Sequence, residues 1–536
     1  MAKGYRPVDR DQPFLFPPDM RQWLPAGHAV WLVIEAVARL DTSAFHARRR
    51  TGGAGAAGYD PDMMLTLLVW AYANGVTSSR RIERLCQQDV AFRVICAGHV
   101  PDHVTIARFR QQFADTAASL FAQVLVLCAK LGMGQVGIVA LDGTKVAGNA
   151  SLGANRTEEG LRKLAADLAA RHAAADEQED ALFGAGKRGD DDPGDPFTRA
   201  ERVAAALESL EEERRAREAE REQDAARAAR AVEAARAGTP VTGKPPAGSE
   251  VALAAEYLAR MRAGHQAGAA AWHAAAAAGR RPGGNPPVPT EDYARVRAAR
   301  QRLERAEARA AARAERAAGG ETGKKEPARR NVTDPGSRLM PVRGGGFIQG
   351  YNPQNVTSED DLVIATTLTN SPADTQWYPG MISDAARAAA MMAAAGGPGD
   401  GTIGLVLADA GYLSEADLTC PGPDRLIATG KHRALEKAAR AAAGQDVPEA
   451  EQGTAPIAAM TARLATQDGI TAYRRRSHAG ETFHGDLKHN QHFRRLSVRG
   501  IRRASGEWTF ATAVRNLRKA ITSGHLTASS LAALAG

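Results

Sequence analysis

The sequence predicts an α/β fold, a mixed sheet flanked by helices, preceded by an all-α N-terminal domain and interrupted by a long helical insertion. Three observations carry this expectation. Two continuous apolar runs, Val136–Leu141 and Ile403–Ala408, each end in an aspartate, Asp142 and Asp409. Such runs suit strands buried on both faces. Residues before 136 show apolar positions at helical spacing, punctuated by capping residues and glycines. From about Asn155 to Arg330 the composition changes to Ala, Arg and Glu with few large apolar residues.

The first expected domain covers 1–135. Asp60-Pro61 supplies an N-cap and a proline at the first helical position, and Met64, Leu67, Leu68, Ala71 and Tyr72 follow at helical spacing until Gly75. Helices are predicted over Thr77–Gln88, Asp89–Ala97 and again from Pro101 to Arg110, with Asp102 as cap. Short helices with tight turns suit a helix-turn-helix unit whose reading helix carries Arg108 and Arg110. An ordinary helical bundle with solvated arginines fits the same periodicity.

Residues 136–154 open the sheet, with a strand over 136–150. The segment 155–330 reads as an insertion of long, mobile, partly disordered helices. Arg199–Ala237 and Thr290–Ala318 are strong helix formers with alternating charge, and leucine is too sparse for a heptad seam. The rest of the sheet falls in 331–536. Gly346–Val356 and Leu362–Thr369 read as paired strands joined by the polar Ser358–Asp361, followed by a helix over Ser383–Ala395. Strands at Ile403–Asp409 and Arg425–Thr429 come next, then helices at His478–Arg495 and Trp508–Ser523.

The 536 residues suffice for two or three domains. Sixty-nine Lys and Arg against 61 Asp and Glu give a net charge of +8, which points to a polyanionic partner, most simply DNA or RNA. Cys86, Cys96, Cys128 and Cys420 form no C-x-x-C pair, which argues against a zinc site or disulfide framework and fits a reducing cytosol. No apolar stretch approaches the roughly 20 residues of a membrane span and no leader is visible, so no membrane role is expected.

Three acids carry the chemistry. Asp142 and Asp409 stand at the carboxyl ends of apolar strands, where ligands of α/β sheets gather. Glu481, His484 and Lys488 fall at i, i+3 and i+7 on one helix face, while Phe483 and Leu487 anchor an adjacent face. Three convergent carboxylates can hold two divalent cations roughly 4 Å apart, which suits in-line displacement at phosphorus. From Arg474 to Arg503 there are nine Lys or Arg against two acids, Glu481 and Asp486. A run of this kind supplies phosphate contacts without sequence information.

At these residues the chain resembles the DDE transposases of bacterial insertion sequences. The resemblance rests on Tyr59-Asp-Pro-Asp-Met-Met64, Ser78-Ser-Arg-Arg-Ile-Glu83, Pro101-Asp-His-Val-Thr-Ile-Ala-Arg-Phe-Arg110, Leu141-Asp-Gly-Thr-Lys145 with Asn149-Ala-Ser151, Thr333-Asp-Pro335, Gln349-Gly-Tyr-Asn352 and Ala408-Asp-Ala-Gly-Tyr412. It spans nearly the whole chain except the insertion. It implies a ribonuclease H-like catalytic core, Asp142, Asp409 and Glu481 as catalytic metal ligands, and two Mg2+ or Mn2+ ions as cofactor. In the family signature a Tyr and an Arg precede the Glu and a Lys follows it by seven. Tyr473, Arg476 and Lys488 take those DNA-contacting places here, with the gap from Arg476 to Glu481 one residue longer than usual.

The implied function is binding of element ends, metal-dependent strand cleavage and strand transfer, in the cytoplasm at the nucleoid. The partners are double-stranded DNA of ends and target, and a second copy of the chain in a homo-oligomer. A related metal-dependent nuclease without strand transfer, and a non-catalytic DNA-binding relative, are the competing expectations.

Overall fold

The computed structural model of the chain describes residues 19–47, 58–183, 199–239, 245–281, 283, 285–318, 328–342, 344–430, 455–476, 480 and 482–534. They form two compact units, one of 1–155 with 331–536 and one of 156–330.

The first unit begins with helices α1 (Ala29–Val37), α2 (Pro61–Ala73), α3 (Ser79–Gln88), α4 (Val90–Ile95), α5 (His103–Gln111) and α6 (Phe113–Lys130). Their starts follow the capping logic of the sequence. Asp60 accepts from Met63 N, Asp89 from Ala91 N and Phe92 N, and Asp102 from Val104 N and Thr105 N, each satisfying amides that a helix start leaves unpaired.

The sheet follows as β1 (Ile138–Gly143) and β2 (Val146–Ala147). After the ribbon β3 (Asn155–Thr157) with β4 (Arg329–Asn331) come β5 (Arg338–Pro341), β6 (Phe347–Thr357), β7 (Val363–Thr369), β8 (Leu405–Ala408) and β9 (Asp424–Ile427). The order is β2-β6-β1-β8-β9, with β5 and β7 also paired to β6. β1 runs antiparallel to β6 but parallel to β8, and β8 parallel to β9, so the sheet is mixed. Val139, Ala140 and Leu141 of β1 and Val406, Leu407 and Ala408 of β8 are wholly buried, which is why both segments read as unbroken apolar runs.

The N-terminal helices share one hydrophobic core with the sheet. A long C-terminal helix, Ile501–Thr522, joins them. Phe113 stacks on Phe510 with ring centroids 3.9 Å apart, and Tyr72 meets Phe510 edge-on at 5.1 Å. Gly506 permits this crossing, because a Cβ there would stand 2.4 Å from Phe113 O. α6 also corrects the sequence reading on membranes. Among the described residues it is the one helix long and apolar enough to span a bilayer, although more than half of it is buried in this core.

The helix expected over His478–Arg495 is interrupted. Thr482–Gly485 is α-helical, Asp486–Asn490 is a π-helical turn closed by Gln491 N on Asp486 O at 3.0 Å, and no helix continues beyond it. Such turns often mark functional sites.

The second unit consists of long helices, Glu158–Phe183, Arg199–Arg236, Glu250–Ala277 and Ala294–Ala318. Glu250–Ala277 and Ala294–Ala318 meet through Leu258, Val296 and Ala299, with Tyr257, Met261, Tyr293 and Leu303 around them. Most of its ion pairs, such as Arg162–Glu158 and Arg262–Glu291, are exposed and worth only about 0–1 kcal/mol each. The apolar cluster therefore carries more of the pairing than the charges do.

Candidate functional site

Leu141 and Ala408 are Cα partners across the parallel strands, so Asp142 and Asp409 leave neighbouring strand ends together. Each is fixed by the backbone beyond it. Asp142 Oδ1 accepts from Gly143 N at 3.0 Å, and Asp409 Oδ1 accepts from Gly411 N at 2.8 Å. Burial raises the Asp409 carboxyl above its ordinary value; the Gly411 amide and the charge of Arg476 oppose the rise, and Asp374 adds to it.

Asp374 is an acid that the sequence reading missed. Its Oδ1 accepts from Asn352 Nδ2 at 2.7 Å and Gln354 Nε2 at 2.8 Å, and Lys145 Nζ lies 3.6 Å away. A Cβ at Gly143 would stand 3.1 Å from Asp374 Oδ1, and one at Gly411 would stand 3.2 Å from Asp374 Oδ2. Asp374 is thus enclosed by the two glycine turns that follow Asp142 and Asp409. Its position in a polar turn after β7 gave no signal, although its anchor Asn352 lies in a recognised motif.

Cations surround the acids. Lys488 donates to Thr144 Oγ1 and, at 3.2 Å, to Lys145 O; burial lowers its pKa, and Asp142 counters this. Lys145 donates to Pro372 O at 3.0 Å, and its pKa is also lowered by burial. Arg476, near the end of the helix Gln467–Arg476, places Nη1 3.8 Å from Asp142 Oδ1. The Tyr473 hydroxyl donates to Ala408 O at 3.1 Å, just before Asp409. That hydroxyl ties the helix Gln467–Arg476 to the end of β8.

His484 lies on the inner side of the same segment. Its Nε2 is 3.6 Å from Asp142 Oδ2, and burial together with Lys488, Arg515 and Arg476 pushes its pKa down to about 3. Glu481 lies outside the described residues. Its neighbour Gly480 is buried against Asp142, a Cβ there standing 3.5 Å from Asp142 Cβ. Among the described residues no three of His, Cys, Asp and Glu gather closely enough to hold a metal ion. Asp142 and Asp409 supply oxygen donors of the kind a hard divalent cation takes, and a third carboxylate in that pocket would complete the minimum set.

The two arginines expected to read DNA behave differently. Arg108 is exposed and lines an open cavity of about 310 Å³ with Gln111, Gln112, Asp115, Arg502 and Arg503. Arg110 is placed inward. Only 5% exposed, it donates to Ser497 Oγ at 2.5 Å and packs over the Tyr72 ring, because its turn of α5 faces the core. The Thr333-Asp-Pro335 motif is likewise structural, with Asp334 buried and accepting from the Tyr351 hydroxyl and Gly500 N. Arg474, Arg475, Arg494, Arg495 and Arg499 are exposed around the site.

Paired acids at neighbouring strand ends, ringed by cations, have the donor and charge types that phosphodiester chemistry uses. Residues 18–112 match a transposase domain (DUF772), and residues 438–521 match a transposase DDE domain. The two matches support a DDE transposase of an insertion element, a DNA-acting enzyme whose family generally uses divalent metal ions and whose work implies a cytosolic setting. No curated protein and no solved structure matches the chain.

Proposed function

We propose that this transposase binds the ends of its own element as double-stranded DNA, cleaves them and joins them to target DNA on a ribonuclease H-like core. Asp142, Asp409 and Glu481 hold the two Mg2+ or Mn2+ ions. The observation that carries this reading is the matched exit of Asp142 and Asp409 from parallel strands in a cation-lined pocket. When bound, the ions supply activation of the attacking oxygen and stabilisation of the leaving one.

The chain's own residues do the rest. Asp142, beside Asp409 on the neighbouring strand and against Gly480, would hold the ions together with Asp409 and Glu481. Lys488 is tethered to the Thr144 turn, where its ammonium holds a DNA phosphate beside the cut, and Arg476 adds a second clamp. Tyr473 fixes the end of β8 and so the aim of Asp409. Arg108, with Arg502 and Arg503 across the same cavity, grips the DNA backbone away from the cut. Two element ends handled together call for a homo-oligomer on DNA.

The test is Asp142→Ala and Glu481→Gln in the full chain, assayed on end-containing DNA with Mg2+. Cleavage and strand transfer should fall at least about a hundredfold, since even lost second-shell support costs 10–100-fold. End binding by gel shift should survive. Cleavage at the wild-type rate by either variant rejects the assignment, and cut ends without joined products reduce the reading to a nuclease.

A further inference from the structure

His484 is a buried group that the three-acid reading leaves without a task. Both of its ring nitrogens are shielded from solvent and have no hydrogen-bond partner among the described residues. Its side chain is 11% exposed and leans on the Phe483 ring at 4.9 Å. Leaving two imidazole nitrogens unpaired costs free energy, and buried polar groups without partners call for an explanation. A packing role alone would be served better by an apolar side chain in that place.

The direction of the ring supplies the explanation. Nε2 points at Asp142 Oδ2 across 3.6 Å. That is too long for a hydrogen bond. It is close to the span of two ligands sharing one small cation, each about 2.1 Å from it. The cations nearby face elsewhere: Lys488 faces Thr144 and the Lys145 carbonyl, Arg515 faces Asp361 and Asp486, and Arg476 faces the other Asp142 oxygen, Oδ1, at 3.8 Å. The segment is held from behind, so the imidazole is aimed rather than loose.

We infer that His484 is a nitrogen ligand of the metal held by Asp142, making the pocket a mixed nitrogen and oxygen site. This rests on the metal reading of the pocket under the proposed function. Nitrogen ligation disfavours Mg2+, which prefers oxygen donors, relative to Mn2+ and later divalent metals that accept imidazole.

The experiment titrates chelator-stripped, full-length protein with Mn2+, reading free Mn2+ by electron paramagnetic resonance and the metal-induced rise in melting temperature. Wild type, Asp142→Asn, His484→Phe and His484→Asp are compared without DNA. His484→Phe should weaken Mn2+ binding about tenfold or more. His484→Asp should restore binding with its preference moved toward Mg2+. Mn2+ binding by His484→Phe equal to wild type overturns the inference, whatever its metal-free melting temperature. If His484→Phe loses both metal and metal-free stability, the Asp variant decides: recovered binding supports ligation, and no recovery refutes it. Failure of the wild type to bind Mn2+, or binding unaffected by Asp142→Asn, sinks the metal reading itself. Loss in Asp142→Asn alone removes only His484 from it.

Discussion

Asp142 and Asp409 each stand one residue beyond a matched pair, Leu141 and Ala408, of the same parallel ladder. Strand neighbours lie about 4.8 Å apart, so the two carboxylates emerge side by side without any loop having to bring them together. The glycine turns beyond them keep that space open. A Cβ at Gly411 would meet Asp409 Oδ1 at 2.9 Å and Asp374 Oδ2 at 3.2 Å, whereas one at Gly480 meets Asp142 at an ordinary 3.5 Å. Gly411→Ala should therefore cut DNA cleavage at least about tenfold, on the scale of disturbed metal-ligand support. Gly480→Ala should stay near wild type. Equal activity of the two variants would show that the crowding around Asp374 does not matter.

Lys488 joins the pocket to the turn after β1 through Thr144 and the Lys145 carbonyl. Hydrogen bonds from charged groups contribute about 1.5–3 kcal/mol each. Lys488→Met should therefore lower strand transfer by roughly 10–100-fold, converted at 1.36 kcal/mol per tenfold. Overall DNA affinity should change less, because the exposed arginines remain. Measuring binding by anisotropy beside product formation separates the two, and a parallel loss of both would assign Lys488 to general binding.

Arg108 and Arg110 are two residues apart and should give opposite phenotypes. Arg108→Ala should weaken DNA binding and reduce the slope of log affinity against log salt by about 1, with the melting temperature unchanged. Arg110→Ala removes the partner of Ser497 and the cation over Tyr72, beside the buried Glu507. It should cost about 1.5–3 kcal/mol of folding stability. A stable Arg110→Ala protein with weakened DNA binding would restore it to the reading surface.

What the residues revealed before any coordinates follows from which signals are local. Capping at Asp60 and Asp102, the β6–β7 pairing and the burial at the ends of both apolar runs are written in short windows, and each lies where the windows put it. The facing of Arg110 depends on α5 packing near Ser497, 387 residues away, and no window of α5 contains that partner. Asp374 was hidden for the same reason: its meaning comes from Gly143 and Gly411, which only the sheet brings beside it. The single core uniting α2 and α6 with Ile501–Thr522 was equally illegible, since composition marks a helix as apolar but not which partner covers it.

The segment carrying His484 and Lys488 is held from behind by the C-terminal helix, which makes its geometry dependent on pH. Arg515, wholly buried, pairs with buried Asp361 and with Asp486, and Arg518 Nη1 donates to Asp486 Oδ1 at 2.7 Å. Burial alone would raise the Asp486 carboxyl. The Asn490 amide and Arg518, with the charge of Arg515, outweigh it and hold the pKa below 3.8. A carboxylate depressed by folding stabilises the protein above its unfolded pKa, and that contribution disappears as pH falls through the folded value. Arg518→Ala should thus be less stable than wild type at pH 7, by no more than about 1.5–3 kcal/mol because Arg518 is partly exposed. The gap should narrow as pH drops below 3.8. Arg515→Met should cost more, about 3 kcal/mol, because it leaves buried Asp361 with only the partly exposed Lys519 as its cation. Denaturant melts from pH 7 to pH 3 measure both gaps. An Arg518→Ala deficit that stays constant across that range would mean that the ion pair with Asp486 is not what holds the segment.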